Sequence, residues 1–186
     1  MTLQEINEKV RVCTACELCR TRINTVFGTG NEHADIMFVG EAPGRNEDET
    51  GIPFVGAAGH LLDDYLTAVG LSRNDVYIGN IIKCRPPQNR DPRPEEEDQC
   101  IHFLHQQIEL IDPKLIVCLG RIAAKRLIDP NFQVTKQHGQ LFRYNGRLIT
   151  ATFHPAALLR NPANKAPTFS DFEMIYKLAK IDHFQV

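Results

Sequence analysis

An apolar run at residues 35–40 (DIMFVG) passes directly into the irregular segment GEAPGRNED at residues 40–48. Three later runs have the same character: residues 76–82 (VYIGNII), 115–120 (LIVCLG) and 147–153 (RLITATF). Apolar runs without polar alternation are typical of parallel strands that are covered on both faces. The four runs therefore predict a mainly parallel, buried sheet.

Helical periodicity lies between and beside these strands, at residues 2–12, 57–69, 95–111, 121–128 and 170–181. Strands that alternate with helices predict a three-layer α/β domain. An Asn-Gly pair at residues 145–146 predicts a hairpin that adds an antiparallel partner to the last strand. No repeat or linker divides the chain, so we expect one domain at residues 1–186.

The composition is that of an ordinary globular protein, with 42% hydrophobic and 24% charged residues and a formal net charge of −2. Any contact with nucleic acid must therefore come from a local basic patch. The polar N-terminus predicts no signal peptide, and no apolar run is long enough to span a membrane. We expect a cytoplasmic protein without a membrane partner. Six cysteines in that reducing compartment favour a metal site or simple burial over disulfides.

Ligands of such folds bind beyond the carboxyl ends of the strands, where the unusual segments of this chain lie. Glu41, Glu47 and Asp48 crowd after the first strand, which indicates either a polar cleft or a solvated acidic loop. Phe54, framed by three glycines and a proline at residues 51–59, is either a stacking platform for a base or a core residue.

Two more segments follow strands. Residues 83–93 hold four basic residues and one acid, a local charge of +3, on a proline-stiffened loop suited to a phosphate backbone, although a generic basic loop has the same composition. Asn80 lies within the apolar strand predicted at residues 76–82, where a buried amide needs partners, and an amide can read a pyrimidine edge by donating and accepting at once. His154 follows the last strand, and apolar residues beside an arginine at 158–160 are suited to entering a DNA stack.

The cysteines add a further feature. Three form CxxCxxC near the N-terminus, two flank the basic loop, and one lies inside a strand, where we expect inert packing: Cys13, Cys16, Cys19, Cys84, Cys100 and Cys118. This spacing suits a four-thiolate site, for either zinc or a [4Fe–4S] cluster.

Together these segments resemble the family 4 uracil-DNA glycosylases, the iron–sulfur members of the uracil-DNA glycosylase superfamily. The similarity runs from Cys13 to Pro162 and includes GEAPGRNEDETGIPFVGAAGHLL, NIIKCRPPQNRDPRPEE and HPAALLRNP. It implies an α/β/α sandwich with a central four-stranded, mainly parallel sheet. It also implies a monofunctional enzyme that excises uracil from single- or double-stranded DNA in base excision repair.

The resemblance also implies roles for individual residues. The [4Fe–4S] cluster would be held by Cys13, Cys16, Cys84 and Cys100, which leaves Cys19 as the surplus thiol. The uracil pocket would be formed by Gly40, Ala42, Phe54, Asn80 and His154. Catalysis would fall to Glu41, His154, Glu47 and Asn89, with Glu41 as the first candidate to orient the water. DNA would be contacted by Arg85, Arg90, Leu158, Leu159 and Arg160.

Three alternatives stay open. The same fold could form a non-catalytic DNA-binding or polymerase-associated module. A zinc-dependent hydrolase is disfavoured because catalytic zinc usually requires histidines. A relative that remains covalently bound to DNA carries a basic, histidine-containing insertion near Asn89, and this chain has none. No lysine is placed to attack the sugar, so we expect no lyase step, and we expect a monomer.

Overall fold

Six strands form one sheet in the computed structural model, which describes residues 1–181. The strands are β1 (Thr29–Gly30), β2 (Ile36–Gly40), β3 (Tyr77–Asn80), β4 (Leu115–Leu119), β5 (Phe142–Tyr144) and β6 (Arg147–Thr152). Their order across the sheet is β1-β3-β2-β4-β6-β5. The four inner strands are parallel, and β1 and β5 pair antiparallel at the two edges.

The predicted strands are confirmed as the four inner ones, but the sheet has six strands rather than four. The hairpin signal correctly predicted β5, since Asn145 and Gly146 both have the positive φ of a tight turn, 46° and 80°. The opposite edge, β1, is two residues long and therefore carries no alternation that a sequence could reveal. It pairs closely because Gly30 has φ 132°, and a Cβ there would lie 2.1 Å from the Val76 carbonyl oxygen.

Eight α-helices occur within residues 1–181: α1 (Leu3–Arg11), α2 (Arg45–Thr50), α3 (Ala57–Ala68), α4 (Pro94–Ile111), α5 (Arg121–Leu127), α6 (Val134–Gln137), α7 (Pro155–Arg160) and α8 (Lys165–Ala179). The five predicted helices are confirmed, although α8 begins five residues earlier than predicted. The three unpredicted helices are at most six residues long, too short for an apolar periodicity. None of the described helices is long and apolar enough to cross a membrane. Residues 182–186 of the predicted domain lie outside the described residues.

Each face of the sheet has its own core, which confirms the three-layer α/β class. Met37 and Val39 of β2 belong to one hydrophobic cluster, together with residues of α1, α4 and α5. Ile36 and Phe38 belong to the other, together with residues of α3, α7 and α8. Cys118, as predicted, is fully buried packing in β4. Burial on both faces is the reason that these strands are continuously apolar.

Candidate active site

A cavity of about 540 Å³ opens at the carboxyl ends of the four inner strands. Its volume lies in the range of pockets that bind small molecules. It is lined by most of the residues predicted for the site: Glu41, Ala42, Glu47, Phe54, Asn80, Asn89, Arg90, His154 and Arg160. The segments after β2, β3 and β6 thus converge on one cleft, as the strand-end rule predicts.

Asn80, the last residue of β3, places a buried amide beside this cavity. The residue is 2% exposed, and its Oδ1 has no hydrogen-bond partner among the described residues. Gly40 lies opposite Asn80 in the pairing of β2 with β3. A Cβ on Gly40 would lie 2.5 Å from Oδ1 of Asn80 and 2.6 Å from Cζ of Phe54. Only a glycine at position 40 therefore lets the amide and the ring come together.

An unpartnered buried acceptor costs about 1–3 kcal/mol. No protein group donates to Asn80 Oδ1, so this atom is able to accept a hydrogen bond from a molecule in the cavity.

Phe54 is buried, as a core residue would be, and it also lines the cavity. Its ring stacks on that of His154, with centroids 5.6 Å apart and planes 30° from parallel. The neighbouring backbone is held by Glu47, whose Oε1 accepts hydrogen bonds from the amides of Val55 (3.1 Å) and Gly56 (3.2 Å). Glu47 therefore positions the segment that carries the aromatic ring.

His154 precedes α7, and its ring is fixed by a backbone amide. Nδ1 accepts a hydrogen bond from the amide of Ala156 at 3.0 Å, so in the neutral ring the proton resides on Nε2. The ring lies close to the end of β4, where a Cβ on Gly120 would be 2.8 Å from the Cβ of His154. Burial, reinforced by the positive charge of Arg160 and opposed by Glu47, lowers the pKa of His154 to about 4. At neutral pH the side chain is an uncharged donor.

This lowered pKa predicts a contribution to stability that depends on pH. As the pH falls below the ordinary histidine pKa of 6.5, His154 binds a proton in the unfolded chain, whereas in the folded protein it does so only at about pH 4. Stability present above pH 6.5 is therefore lost between 6.5 and 4, by up to about 3 kcal/mol. We expect urea unfolding of His154→Asn to lose less free energy between pH 7 and pH 4.5 than the wild type. Equal losses in both proteins would contradict this origin.

The three residues predicted to orient a water differ in their surroundings. The Glu41 carboxylate lines the cavity and accepts no hydrogen bond from the described residues, and burial together with the charge of Asp91 raises its pKa. The Glu47 carboxylate accepts hydrogen bonds from two backbone amides. Asn89 is exposed, and its Oδ1 accepts from Nε of Arg85 at 2.7 Å.

The basic loop presents less charge than its composition predicted. Lys83 is 1% exposed, and its Nζ donates to the carbonyls of Phe27 and Asn80 (both 3.1 Å) and to Oε1 of Gln107 (2.6 Å). The predicted local charge of +3 is therefore wrong for the surface of the loop, because Lys83 faces the protein interior. Arg90 makes a two-bond ion pair with Glu96 (2.9 and 2.6 Å), so this predicted DNA contact is already partnered.

The prediction for the segment after His154 is wrong at one residue. Leu158, predicted to contact DNA, is 0% exposed and belongs to the core between α3 and the sheet, so it cannot enter a DNA stack. Leu159 is 47% exposed and Arg160 is also exposed, which leaves these two as the residues able to reach a ligand outside the protein.

The end of β4 adds residues that sequence reasoning missed. Gly120 and Arg121 line the cavity, and Arg121 Nη2 makes an ion pair with Asp91 Oδ2 at 2.6 Å. The signal was present, because Arg121 directly follows the run LIVCLG and the strand-end rule applies to that strand too.

A second cavity, of about 20 Å³, is lined by all five candidate cysteines: Cys13, Cys16, Cys19, Cys84 and Cys100. Two of the sulfurs accept hydrogen bonds, Cys84 Sγ from Arg22 Nη1 (3.2 Å) and Cys100 Sγ from the backbone amide of Lys83 (3.3 Å). Burial raises the pKa of the Cys84 thiol and raises that of Cys100 to about 11.

Among the described residues, no three Cys, His, Asp or Glu side chains converge closely enough to hold one metal ion.

The chain is similar over most of its length to known proteins. The family model for the uracil DNA glycosylase superfamily matches residues 27–177. A Type-4 uracil-DNA glycosylase of Archaeoglobus fulgidus is 46% identical, over 95% of this chain and 93% of that protein. One from Thermotoga maritima is 48% identical (88% and 86%), and one from Pyrobaculum aerophilum is 42% identical (95% and 94%).

Proposed function

The chain belongs to the uracil-DNA glycosylase superfamily, and from this premise we propose that it is a monofunctional Type-4 uracil-DNA glycosylase. It binds uracil-containing DNA, flips uracil out of the stack, hydrolyses the N-glycosidic bond and leaves an abasic site for base excision repair. The observation that carries the proposal is the unpartnered Oδ1 of Asn80, buried beside the Phe54 ring and the neutral His154 in one cavity.

Recognition of uracil follows from the donors and acceptors of this cavity. Uracil presents an N3–H donor beside the O4 acceptor, and the Asn80 amide offers the complementary Oδ1 acceptor and Nδ2 donor. Phe54 supplies a flat apolar face for the base, which stacking favours by about 1–3 kcal/mol. An extruded pyrimidine would thus satisfy the buried Oδ1.

His154 supplies the electrostatic part of the reaction. When the glycosidic bond breaks, the sugar becomes oxocarbenium-like and negative charge grows on the departing base. The Nε2–H of His154, fixed by the Ala156 amide on the other ring nitrogen, donates to uracil O2 and stabilises that charge. A donor that is fixed in place before the reaction need not reorganise during it.

Glu41 is our candidate to orient the attacking water. Its carboxylate lines the cavity without a partner among residues 1–181, unlike Glu47 and Asn89, which both accept hydrogen bonds from the protein. No lysine of the described residues lines the cavity, which favours water over an amine as the nucleophile.

DNA contacts beyond the flipped base fall to exposed residues around the cavity. Leu159 and Arg160 project from α7 beside it, where an apolar side chain could fill the gap left by the base. Arg85, held by Asn89, and the exposed Arg93 are the cations of the loop that remain for phosphates.

We assign the cysteine cavity to a [4Fe–4S] cluster on Cys13, Cys16, Cys84 and Cys100. The proposal is supported by a shared cavity that thiols line and by two hydrogen bonds to sulfur. A bound cluster would keep these thiols deprotonated and cross-link the segment after α1 to the loop after β3 and to α4. Through this cross-link, the four cysteines would hold the DNA-facing loop in place.

The cluster assignment predicts different outcomes for two neighbouring cysteines. Cys84→Ala should lose iron, acid-labile sulfide and visible absorption, with a lower melting temperature, because a ligand is removed. Cys19→Ala should keep four irons per chain. Iron and sulfide analysis of the anaerobically purified variants is the measurement. Full iron content in Cys84→Ala, or zinc in the wild type, would contradict the assignment.

The proposed function itself is tested by uracil release from a labelled oligonucleotide, with uracil opposite G, opposite A and in a single strand. We expect free uracil and an intact strand with an abasic site. DNA binding without release would instead support the non-catalytic module. The cytoplasmic location and the monomeric state stay predictions.

A further inference from the structure

Phe54, the proposed stacking residue, has an unusual backbone. Its φ is 53°, in the left-handed region that non-glycine residues with large side chains rarely adopt. Such a conformation costs about 1–3 kcal/mol and persists only when the surrounding structure fixes it. The contacts that fix Phe54 therefore also determine where its ring lies in the uracil pocket.

Arg73, in the segment between α3 and β3, makes the contacts on one side. Its Nη1 donates to the carbonyl of Pro53 at 2.9 Å, and its Nη2 donates to the carbonyl of Phe54 itself. Asp63 of α3 aims the guanidinium by accepting from Nε at 2.6 Å. Helix α3 can approach because position 59 is glycine, where a Cβ would lie 1.8 Å from the Phe54 carbonyl oxygen.

Glu47 makes the complementary contacts on the other side, where its carboxylate accepts from the amides of Val55 and Gly56. A cation thus binds the carbonyls before and at the strained residue, and an anion binds the amides after it. Unlike Glu47, Arg73 does not line the catalytic cavity. Its contacts reach the pocket only through the Phe54 segment.

We propose that Arg73 is a positioning residue for uracil recognition, acting through the backbone of Phe54. This inference rests on the proposed function, because it assigns a role within the same uracil pocket. Charged hydrogen bonds to two successive carbonyls set the ring's height above the base, and Asp63 sets the direction of the guanidinium.

The test is a double-mutant cycle on single-turnover uracil excision. We expect Arg73→Met to lower the rate about tenfold and Phe54→Ala to lower it by roughly 5- to 150-fold, the range of base-stacking contributions. If Arg73 acts through the ring, adding Arg73→Met to Phe54→Ala should cost no more than about twofold further. Inhibition by free uracil should weaken in Arg73→Met by the same factor as the rate.

Arg147→Met is the matched control. Arg147 is another largely buried arginine with carboxylate partners, Glu109 (3.0 Å) and Asp112 (2.7 Å), and it lies outside the cavity. It should lose stability but keep excision and uracil inhibition within about twofold at a temperature where it is folded.

If Arg73→Met does not fold, Asp63→Asn is the alternative variant, because it keeps the arginine and changes only its carboxylate partner. We expect Asp63→Asn to lower the rate of excision about threefold, and to lower it no further when the ring is removed by Phe54→Ala.

The outcomes separate the two claims. A wild type that releases no uracil would overturn both the proposed function and the role of Arg73. An active wild type with an equally active Arg73→Met, or with equal losses in the presence and absence of the Phe54 ring, would overturn the role of Arg73 alone.

Discussion

Asn80→Ala should lower the single-turnover rate of uracil excision by about a hundredfold or more. The amide is 2% exposed and its Oδ1 has no partner among the described residues, and its truncation removes both hydrogen bonds to the base edge. At about 1.4 kcal/mol for each, which is the upper part of the range for one neutral hydrogen bond, the two together correspond to a hundredfold. Asn80→Asp should lose at least as much, because it keeps an acceptor for N3–H but turns a negative oxygen towards O4.

Thr150→Val is the control for this prediction. Thr150 is also a fully buried polar residue of an inner strand, and its Oγ1 donates to the Gln140 carbonyl, away from the cavity. We expect it to lose stability while excising uracil at the wild-type rate. If Asn80→Ala excised as fast as Thr150→Val, the assignment of Asn80 as the reader of the base would be wrong.

The placement of Asn80 and His154 could be predicted from sequence because it depends on local order. His154 directly follows its apolar run and Asn80 lies near the end of its own, and the carboxyl ends of parallel strands meet at one edge. The edge strand β1 and the short helix α2, which were not predicted, have no such apolar run. Two residues show no alternation, and the charged hexapeptide RNEDET shows no apolar face.

The electrostatic partners could not be predicted in the same way, because they come from distant parts of the chain. The composition of the basic loop predicts Lys83 to be a surface cation, but its partner Gln107 lies 24 residues away in sequence. Arg73 reaches Phe54 across 19 residues, and nothing in its own neighbourhood marks it. A charged side chain that is buried needs a partner, and only the fold shows which residue that partner is.

The second large effect concerns His154. His154→Ala should lower the single-turnover rate by about 10²–10³-fold, the usual effect of removing one fixed donor from a developing oxyanion. The affinity for uracil-containing DNA should change by only a few-fold, because negative charge on uracil O2 is large only in the transition state. Single-turnover rates and equilibrium binding on the same oligonucleotide separate the two effects.

The neutral ring also predicts the shape of the pH profile. With its pKa lowered to about 4, His154 does not titrate between pH 5 and 8, so it should produce no change in rate there. The decrease in rate at acidic pH should instead follow the protonation of Glu41, whose raised pKa brings that protonation closer to neutral pH, and Glu41→Gln should remove the decrease.

His138→Asn is the matched control for His154. His138 pairs with Asp171 at 2.7 Å outside the cavity, so its replacement should leave the rate of excision unchanged. A wild-type rate that fell as the pH rose through about 6.5, and lost that fall in His154→Ala, would show that the charged ring is the active form, and the neutral-donor mechanism would then be wrong.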